Sequence, residues 1–338
     1  MAYTTINKPN QYFNTKLFTG TGSTQSITGV GFQPDLTWFK SRTLAESHNL
    51  VDSVRGLFRL RSNSTSAQVS TPVTLDSDGF TVGSESENNG GSMVAWNWKA
   101  GGTASSNTDG SITSSVSANP TAGFSIVTFT GTGANATVGH GLGSSVPKMI
   151  IIKGYSNTPN WQVYHASYGN TGGGQLNLNS AFSADGMFQN TTPTSSVFSL
   201  GTSGNVNGSG QTMVAYCFAE KKGFSKFGSY VGNGSTDGTF IYTGFKSAFV
   251  LIKKSNASGT DWQLTDNKRD LHNVCTHRLL PNDSIVEQTD SLDLDILSNG
   301  FKIRKSSTTN NASGATYIYY AVAQNPLVGT NGVPATAR

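Results

Sequence analysis

The chain has 338 residues, of which only 12% are charged while glycine occurs 39 times, and its formal net charge is +4. This small, dispersed charge argues against nucleic acid or an anionic membrane surface as a partner, and no apolar run reaches the roughly 20 residues that span a bilayer. Aromatic residues make up 10% of the chain, which excludes a disordered composition and favours β-structure with many tight turns.

One sequence pattern occurs three times along the chain. Each copy has a glycine-rich signature, then an apolar strand ending in lysine, then a glycine that precedes a β-rich strand. These landmarks are 18–22, Lys40 and Gly91 in the first copy, 129–133, Lys153 and Gly210 in the second, and 230–234, Lys253 and Gly314 in the third. Their constant order predicts a tandem array of one module of about a hundred residues, which is long enough to bury its own core.

The predicted segments follow each other without overlap. They are an N-terminal arm over 1–15, repeat 1 over 16–100, a Ser/Gly/Thr linker over 101–121, repeat 2 over 122–219, repeat 3 over 220–323 and a C-terminal tail over 324–338. Apolar alternation with a period of two and Asp-Gly or Asn-Gly turns predict strands. The predicted fold class is all-β, with three tandem β-sandwich or jelly-roll-like modules. The short seam near Glu220 predicts that repeats 2 and 3 pack together, and the longer linker predicts that repeat 1 is freer.

The recurring lysine is the only charged position that all three copies share. A catalytic lysine would need a desolvated pocket and a partner group, and the sequence supplies neither. We therefore predict that Lys40, Lys153 and Lys253 end their strands and guard a sheet edge against unwanted pairing.

The tryptophans raise the hypothesis of carbohydrate stacking. Trp161 and Trp262 begin the same short strand in repeats 2 and 3, which favours packing in the core. The alternative is a sugar-binding platform, and under that hypothesis Trp98, Trp161 and Trp262 are the candidate glycan or receptor contacts.

Two pairs of carboxylates lie near equivalent turns of repeats 1 and 3. They are Asp76 with Asp78, and Asp293 with Asp295. Ca²⁺ takes six to eight oxygen ligands and could use such a pair, but Asp also stabilises turns through hydrogen bonds to the backbone. The sequence leaves both interpretations open.

No arrangement of residues indicates catalysis or a cofactor. His272, Cys275 and His277 lie close together, but a zinc site would need a fourth ligand. Cys217 and Cys275 fall in different repeats and are predicted to be free, buried thiols. The Gly-X-Ser-X-Gly, His-Glu-X-X-His, P-loop and Cys-X-X-Cys motifs are missing from the sequence. We predict a protein that is not an enzyme and binds no cofactor or metal.

Several longer strings resemble a repeat family common in tailed phages, largely marine ones. They are 31–38, 52–55, 75–83, 94–102, 119–127, 198–201, 214–220 and 223–234. The resemblance covers residues 16–323 and brings no catalytic residues with it. It implies a bacteriophage virion structural protein that is made in the host cytoplasm and located in the virion.

The expectation from this resemblance is a tail fibre or tail-associated appendage involved in host adsorption. Its expected partners are other virion proteins and a host surface glycan, and its expected oligomer is a homotrimer. Three internal copies could instead match a quasi-threefold site. Two alternatives stay open: a capsid decoration or cement protein, and a carbohydrate-binding or depolymerising tailspike.

Overall fold

The computed structural model describes residues 3–289, 293–329 and 332–336 of the chain. Within those residues the protein consists of antiparallel strands, two 3-10 turns at Pro9–Gln11 and Ser86–Asn88, and one short helix at Gly204–Asn207. The predicted all-β fold class is therefore confirmed. No helix in this part of the chain has the length and apolar character needed to cross a membrane. Two residues of the predicted arm and four of the predicted tail lie outside the described residues.

Repeat 1 folds into a large and a small antiparallel sheet. Its strands are β1 (Phe13–Thr19), β2 (Gln25–Thr28), β3 (Leu36–Ser41), β4 (Asn49–Asp52), β5 (Phe58–Arg61), β6 (Val69–Ser70), β7 (Thr74–Asp76), β8 (Gly79–Val82) and β9 (Ser92–Trp98). The large sheet has the order β1-β9-β3-β4-β5-β6, and the small sheet has the order β2-β8-β7. Phe39 and Phe80 pack between the two sheets with ring centroids 5.0 Å apart. Because side chains alternate along a strand, the opposite face of the large sheet is left for other contacts.

Repeat 2 has the same two-sheet plan with an extension at one edge. Its strands are β10 (Ser105–Asn107), β11 (Ser114–Asn119), β12 (Phe124–Thr130), β13 (Ala136–Gly139), β14 (Pro147–Gly154), β15 (Gln162–His165), β16 (Gly172–Gln175), β17 (Ser183–Ala184), β18 (Val197–Leu200) and β19 (Thr212–Ala219). The large sheet has the order β10-β11-β12-β19-β14-β15-β16-β17, and β13 pairs with β18. β10 and β11 come from the predicted linker 101–121. β11 pairs with β12, β10 pairs with β11, and the side chain of Val116 is buried.

Repeat 3 again forms two sheets. Its strands are β20 (Ser225–Val231), β21 (Phe240–Tyr242), β22 (Phe245–Lys254), β23 (Gln263–Asp266), β24 (Leu294–Leu297), β25 (Gly300–Ile303) and β26 (Thr316–Pro326). The sheet orders are β20-β26-β22-β23 and β21-β25-β24. The long central strands β22 and β26 are buried over most of their length, as expected for strands that are covered on both faces.

The large sheets of the three repeats share one central core. Each repeat contributes a strand pair to it: Trp38 opposite Trp96, Ile151 opposite Tyr216, and Leu251 opposite Tyr320. The other face of each large sheet packs in a separate cluster within its own repeat. The prediction that repeat 1 is freer than the other two is therefore wrong, because its tryptophans lie in the common core.

The N-terminal arm docks on repeat 3. The Tyr3 hydroxyl donates to the Gly244 carbonyl at 2.6 Å, and Thr4 Oγ1 donates to the Lys222 carbonyl at 2.7 Å. Ile6 is buried in the common core. The arm therefore fastens the first strand of repeat 1 to the last repeat of the chain.

Candidate functional site

The most distinctive polar residues of the protein lie at the three seams between repeats. We call these the first seam (repeats 1 and 2), the second seam (repeats 2 and 3) and the closing seam (repeats 3 and 1). Equivalent positions at these seams are recognised from the strand register. Asp52 lies opposite Leu36, His165 opposite Met149 and Asp266 opposite Phe249.

Each of these three side chains reaches the next repeat in the same direction around the ring. Tyr216 donates its hydroxyl to Asp52 Oδ2 at 2.8 Å across the first seam. His165 Nε2 lies 3.1 Å from the Tyr319 carbonyl oxygen across the second seam. Trp96 Nε1 donates to Asp266 Oδ2 at 3.0 Å across the closing seam. Repeat 1 thus holds repeat 2, repeat 2 holds repeat 3, and repeat 3 holds repeat 1, which is a cyclic, pseudo-threefold arrangement.

Two of the three positions are buried ion pairs. Arg55 Nε lies 2.6 Å from Asp52 Oδ2, and Arg269 Nε lies 2.5 Å from Asp266 Oδ2. Both arginines follow their aspartate by three residues, and each donates its backbone N–H to that carboxylate as well. Burial opposes ionisation of Asp266, but the charge and hydrogen bonds of Arg269 hold its pKa below the usual value. Full pairing of this kind is what buried charges require.

The closing seam carries a further carboxylate. Glu287 lies 2.9 Å from Arg269 Nη1 and 2.7 Å from Arg42 Nη2. Burial raises the pKa of Glu287, but hydrogen bonds from Arg42 and the charge of Arg269 lower it by more, so its net pKa is below the usual value. The closing seam is therefore held by a four-residue charge network, in which Arg42 comes from repeat 1 and the other three come from repeat 3.

In repeat 2 a histidine takes the place of the aspartate. His165 is buried, and burial lowers the pKa of its imidazole to about 4. Since a carbonyl oxygen only accepts, the Nε2 that faces Tyr319 carries the proton, and Nδ1 accepts the Ser167 N–H at 3.2 Å. Tyr168 stands at the arginine position and packs on Phe182. This seam is held by a neutral ring with both nitrogens engaged.

A second recurring contact joins an aromatic ring of one repeat to backbone carbonyls of the preceding repeat. Trp161 Nε1 donates to the Arg61 carbonyl at 2.9 Å, and Trp262 Nε1 donates to the Gln175 carbonyl at 2.9 Å. His48 occupies the equivalent position in repeat 1, but its Nδ1 accepts from Trp38 Nε1 of the same repeat at 2.9 Å. The seams therefore combine apolar packing with directed hydrogen bonds.

The recurring lysines lie inside the protein and bridge carbonyl groups. Lys153 Nζ donates to the Gly154 carbonyl at 2.8 Å and across the first seam to the Thr65 carbonyl at 2.9 Å. Lys40 and Lys253 are buried in the same way, and burial lowers the pKa of all three lysines to about 8. The prediction that they guard a sheet edge is wrong, because β3, β14 and β22 are interior strands of their sheets.

The candidate glycan contacts do not face solvent. Trp98, Trp161 and Trp262 are 3%, 0% and 1% exposed, and all three lie in the common core. A ring without a free face cannot stack on a sugar that arrives from solution. The structure therefore places these residues where the core-packing interpretation requires them.

The paired carboxylates of repeat 1 are engaged by other groups of the same repeat. Asp78 accepts the N–H groups of Gly29 and Gly31 at 3.0 and 2.7 Å. Asp76 accepts hydroxyl hydrogens from Thr74 and Thr81 at 3.0 and 2.7 Å. These bonds engage both carboxylates within repeat 1, but most of them join different segments of it, and they are not the local Asx-turn contacts that were weighed against Ca²⁺ binding.

The carboxylates of repeat 3 face cations of the chain itself. Asp295 lies 3.3 Å from Arg304, and Asp293 lies 3.8 Å from Lys305. Across the described ranges, no group of three or more His, Cys, Asp or Glu side chains is arranged to hold a metal ion. Cys217 and Cys275 are buried, and neither forms a disulfide.

Sequence reasoning missed the residues that hold the seams. A usable signal was present, because an Asp-X-X-Arg string occurs at 52–55 and again at 266–269. Repeat 2 hides the pattern, since it has His165 and Tyr168 at those two positions. A comparison of repeats 1 and 3 alone would have found it.

Comparison with known proteins gives one informative result. A family model described as "Domain of unknown function (DUF7483)" matches residues 8–326. No curated protein and no solved structure matches the chain. The family match runs through all three repeats as one unit, in agreement with the single core that they share.

Proposed function

The chain belongs to the DUF7483 domain family, and from its architecture we propose that it is a non-enzymatic structural protein of a bacteriophage particle. Its place is a tail fibre or another tail-associated appendage that takes part in host adsorption. The observation that carries this proposal is the cyclic set of seam contacts made by Asp52, His165 and Asp266. These contacts make one chain resemble a closed trimer.

A pseudo-threefold chain suits a threefold assembly. Fibres and capsid lattices present threefold or quasi-threefold axes, and a ligand with matching symmetry can make the same contact three times. One copy of this chain can therefore cap or continue such an axis. Three copies around the axis, the homotrimer expected from the resemblance, is the alternative assembly.

The seams also support a structural role in energetic terms. The polar groups that cross them are buried and paired, and the apolar faces of all three large sheets are covered. Such an interior keeps its shape without a ligand or metal. Buried hydrogen bonds persist in sea water, where exposed ion pairs are screened within a few ångströms.

The test is immunogold labelling of purified phage particles that encode the chain. Gold at the tail supports the tail assignment, and antibody absorbed beforehand with the purified chain is the control. Gold spread over the head would favour the capsid decoration or cement alternative, for which hundreds of copies per particle are expected rather than a few to tens. Particles without any gold would contradict a virion role.

The remaining alternative is a carbohydrate-binding or depolymerising tailspike. Clearing of a turbid host polysaccharide by the purified chain separates it from the structural proposal. Clearing would contradict the statement that the chain is not an enzyme, while an unchanged polysaccharide leaves the structural proposal standing.

A further inference from the structure

A polar cleft opens at the closing seam. Its volume is about 290 Å³, at the lower end of the range of small-molecule pockets. It lies between the N-terminal arm, the start of β1, and the ends of β23 and β26. Six carboxamide side chains line it: Asn7, Asn10, Asn14, Asn267, Gln324 and Asn325.

The chain connectivity explains why the cleft lies at this seam. The chain crosses the first seam at 99–123 and the second at 219–225 as the direct link between consecutive repeats, whereas the N-terminal arm spans the closing seam. The residue before the equivalent core positions Leu36 and Phe249 also differs. In repeat 1 it is Asp35, whose carboxylate accepts hydrogen bonds from Ser53 Oγ at 2.9 Å and the Ala100 N–H at 2.7 Å. In repeat 3 it is Ala248, which lines the cleft and fills much less space.

The lining has a consistent chemistry. A carboxamide both donates and accepts hydrogen bonds, as a sugar hydroxyl does, so the two pair well. Lys8 and Lys268 add positive charge, and none of the lining residues is an aspartate or glutamate. The site is therefore neutral to cationic and rich in paired donor and acceptor groups.

One buried group in the wall points to an occupant. Thr15 is 5% exposed, and its hydroxyl has no hydrogen-bond partner among the described residues. A buried hydroxyl without a partner is costly, and such groups commonly meet water or a ligand. Thr15 is one of the lining residues, and its buried hydroxyl would gain a partner if it turned toward a ligand hydroxyl in the cleft.

We propose that this cleft binds an acidic saccharide. The carboxamides and Thr15 take the sugar hydroxyls, and Lys8 and Lys268 take the carboxylate. The inference deepens the proposed function by giving host adsorption a ligand class. It rests on that function only in one respect, namely that the sugar belongs to a cell surface and not to free polysaccharide.

Calorimetric titration of the full chain with digalacturonate and with its neutral counterpart, a digalactoside, tests the charge preference. We expect digalacturonate to bind at least about tenfold more tightly, since a charge-assisted hydrogen bond contributes about 1.5–3 kcal/mol. Lys268→Gln should weaken digalacturonate binding about tenfold. Lys254→Gln is the matched control, because Lys254 ends β22 and is not among the lining residues. Equal affinity for both sugars, absence of binding at millimolar concentration, or no effect of Lys268→Gln would each overturn the proposal.

Thr15→Val separates a ligand contact from a structural role. The change removes a hydroxyl that has no partner among the described residues, so the melting temperature should hold or rise, while digalacturonate affinity falls. A lower melting temperature with unchanged affinity would overturn the role given to Thr15.

The two proposals fail separately. If particles are labelled by gold but the chain binds no acidic saccharide, only the saccharide-binding proposal for the cleft is overturned. Saccharide binding by a chain that is not found on particles would uphold the cleft and contradict the virion role. Retention of intact cells by immobilised chain, released by added digalacturonate, identifies a cell surface as the source. Retention that digalacturonate leaves unchanged contradicts that source.

Discussion

Repeats 1 and 3 differ from repeat 2 in the side chains that hold the seams. At one equivalent position, repeats 1 and 3 bury an aspartate paired with an arginine, whereas repeat 2 buries a histidine beside a tyrosine. All three side chains reach the next repeat in the same direction. The cyclic arrangement therefore depends on burial and on a satisfied polar contact, and it does not depend on charge.

The two solutions respond differently to change. A buried ion pair is stable only while both partners are present, because the remaining charge stays desolvated. A neutral ring with two hydrogen bonds leaves no charge behind when it is altered, but it must stay neutral. The seams of repeats 1 and 3 should thus be sensitive to substitution, and the second seam should be sensitive to pH.

The largest effect is expected from Arg269→Met. Loss of the guanidinium leaves Asp266 and Glu287 without their shared cation in the closing seam. We expect the free energy of unfolding in urea to fall by about 3–5 kcal/mol. Arg55→Met should cost less, because Arg55 forms a salt bridge with one carboxylate, that of Asp52.

The control for this prediction is Arg304→Met. The Arg304 side chain is 39% exposed and pairs with Asp295 at the surface, so its loss should cost less than about 1 kcal/mol. If Arg269→Met cost no more than Arg304→Met, the closing seam would not depend on its charge network.

Replacing the histidine of repeat 2 with the aspartate of the other repeats should give the next largest effect. His165→Asp places an aspartate in repeat 2 where Tyr168 stands in the arginine position, so we expect a loss of about 3 kcal/mol in urea unfolding. The double change His165→Asp with Tyr168→Arg should recover at least half of it. Tyr168→Arg alone is the control for lost packing on Phe182. A double variant no more stable than His165→Asp would mean that repeat 2 cannot accept the ion pair of its neighbours.

The all-β class was predictable because a period of two and Gly-containing turns are local signals. The shared core was not predictable from the same signals. A strand that is apolar on both faces, such as β22, has the same sequence pattern whether its second face packs against its own repeat or against another one. Burial of the lysines was also hidden, since carbonyl partners such as Thr65 come from a neighbouring repeat.

The predicted linker contains strands for a related reason. Ser/Thr/Gly composition is typical of flexible segments, but serine and threonine also pair well in strands when a neighbouring edge is open. β12 offers such an edge, and Val116 anchors β11 against it opposite Val127. Among the seam residues, only the repeated Asp-X-X-Arg string was within reach of sequence comparison.

Part of the pH response should come from the second seam. Burial lowers the pKa of His165 to about 4, while in the unfolded chain it returns to about 6.5. Between these values the unfolded state binds more protons, so stability falls as pH decreases from 6.5 toward 4. At pH 5 the loss from His165 is roughly 2 kcal/mol. The measurement is urea unfolding at pH 7 and pH 5.

His165→Gln should flatten this dependence, because glutamine can donate to the Tyr319 carbonyl and accept from Ser167 without titrating. His48 and His140, whose pKa values burial also lowers, keep the rest of the slope. His272→Gln, at an exposed position, is the control and should retain the full dependence. An unchanged slope in His165→Gln would mean that another group senses pH.

The smallest effect is expected from Ser62→Ala at the closing seam. Ser62 Oγ donates to the Pro281 carbonyl at 2.7 Å, and the residue is fully buried. Loss of this single neutral bond should lower the free energy of urea unfolding by about 1 kcal/mol. Ser66→Ala, at an exposed position, is the control and should change this free energy little.

Measured beside Arg269→Met in the same seam, Ser62→Ala separates the cost of a lost neutral hydrogen bond from the cost of a charge left unpaired. If Ser62→Ala costs far less, the sensitivity of the ion pair comes from the charge left unpaired. If the two costs are equal, the charges of the closing seam act as ordinary hydrogen bonds, and the histidine of repeat 2 is their energetic equivalent.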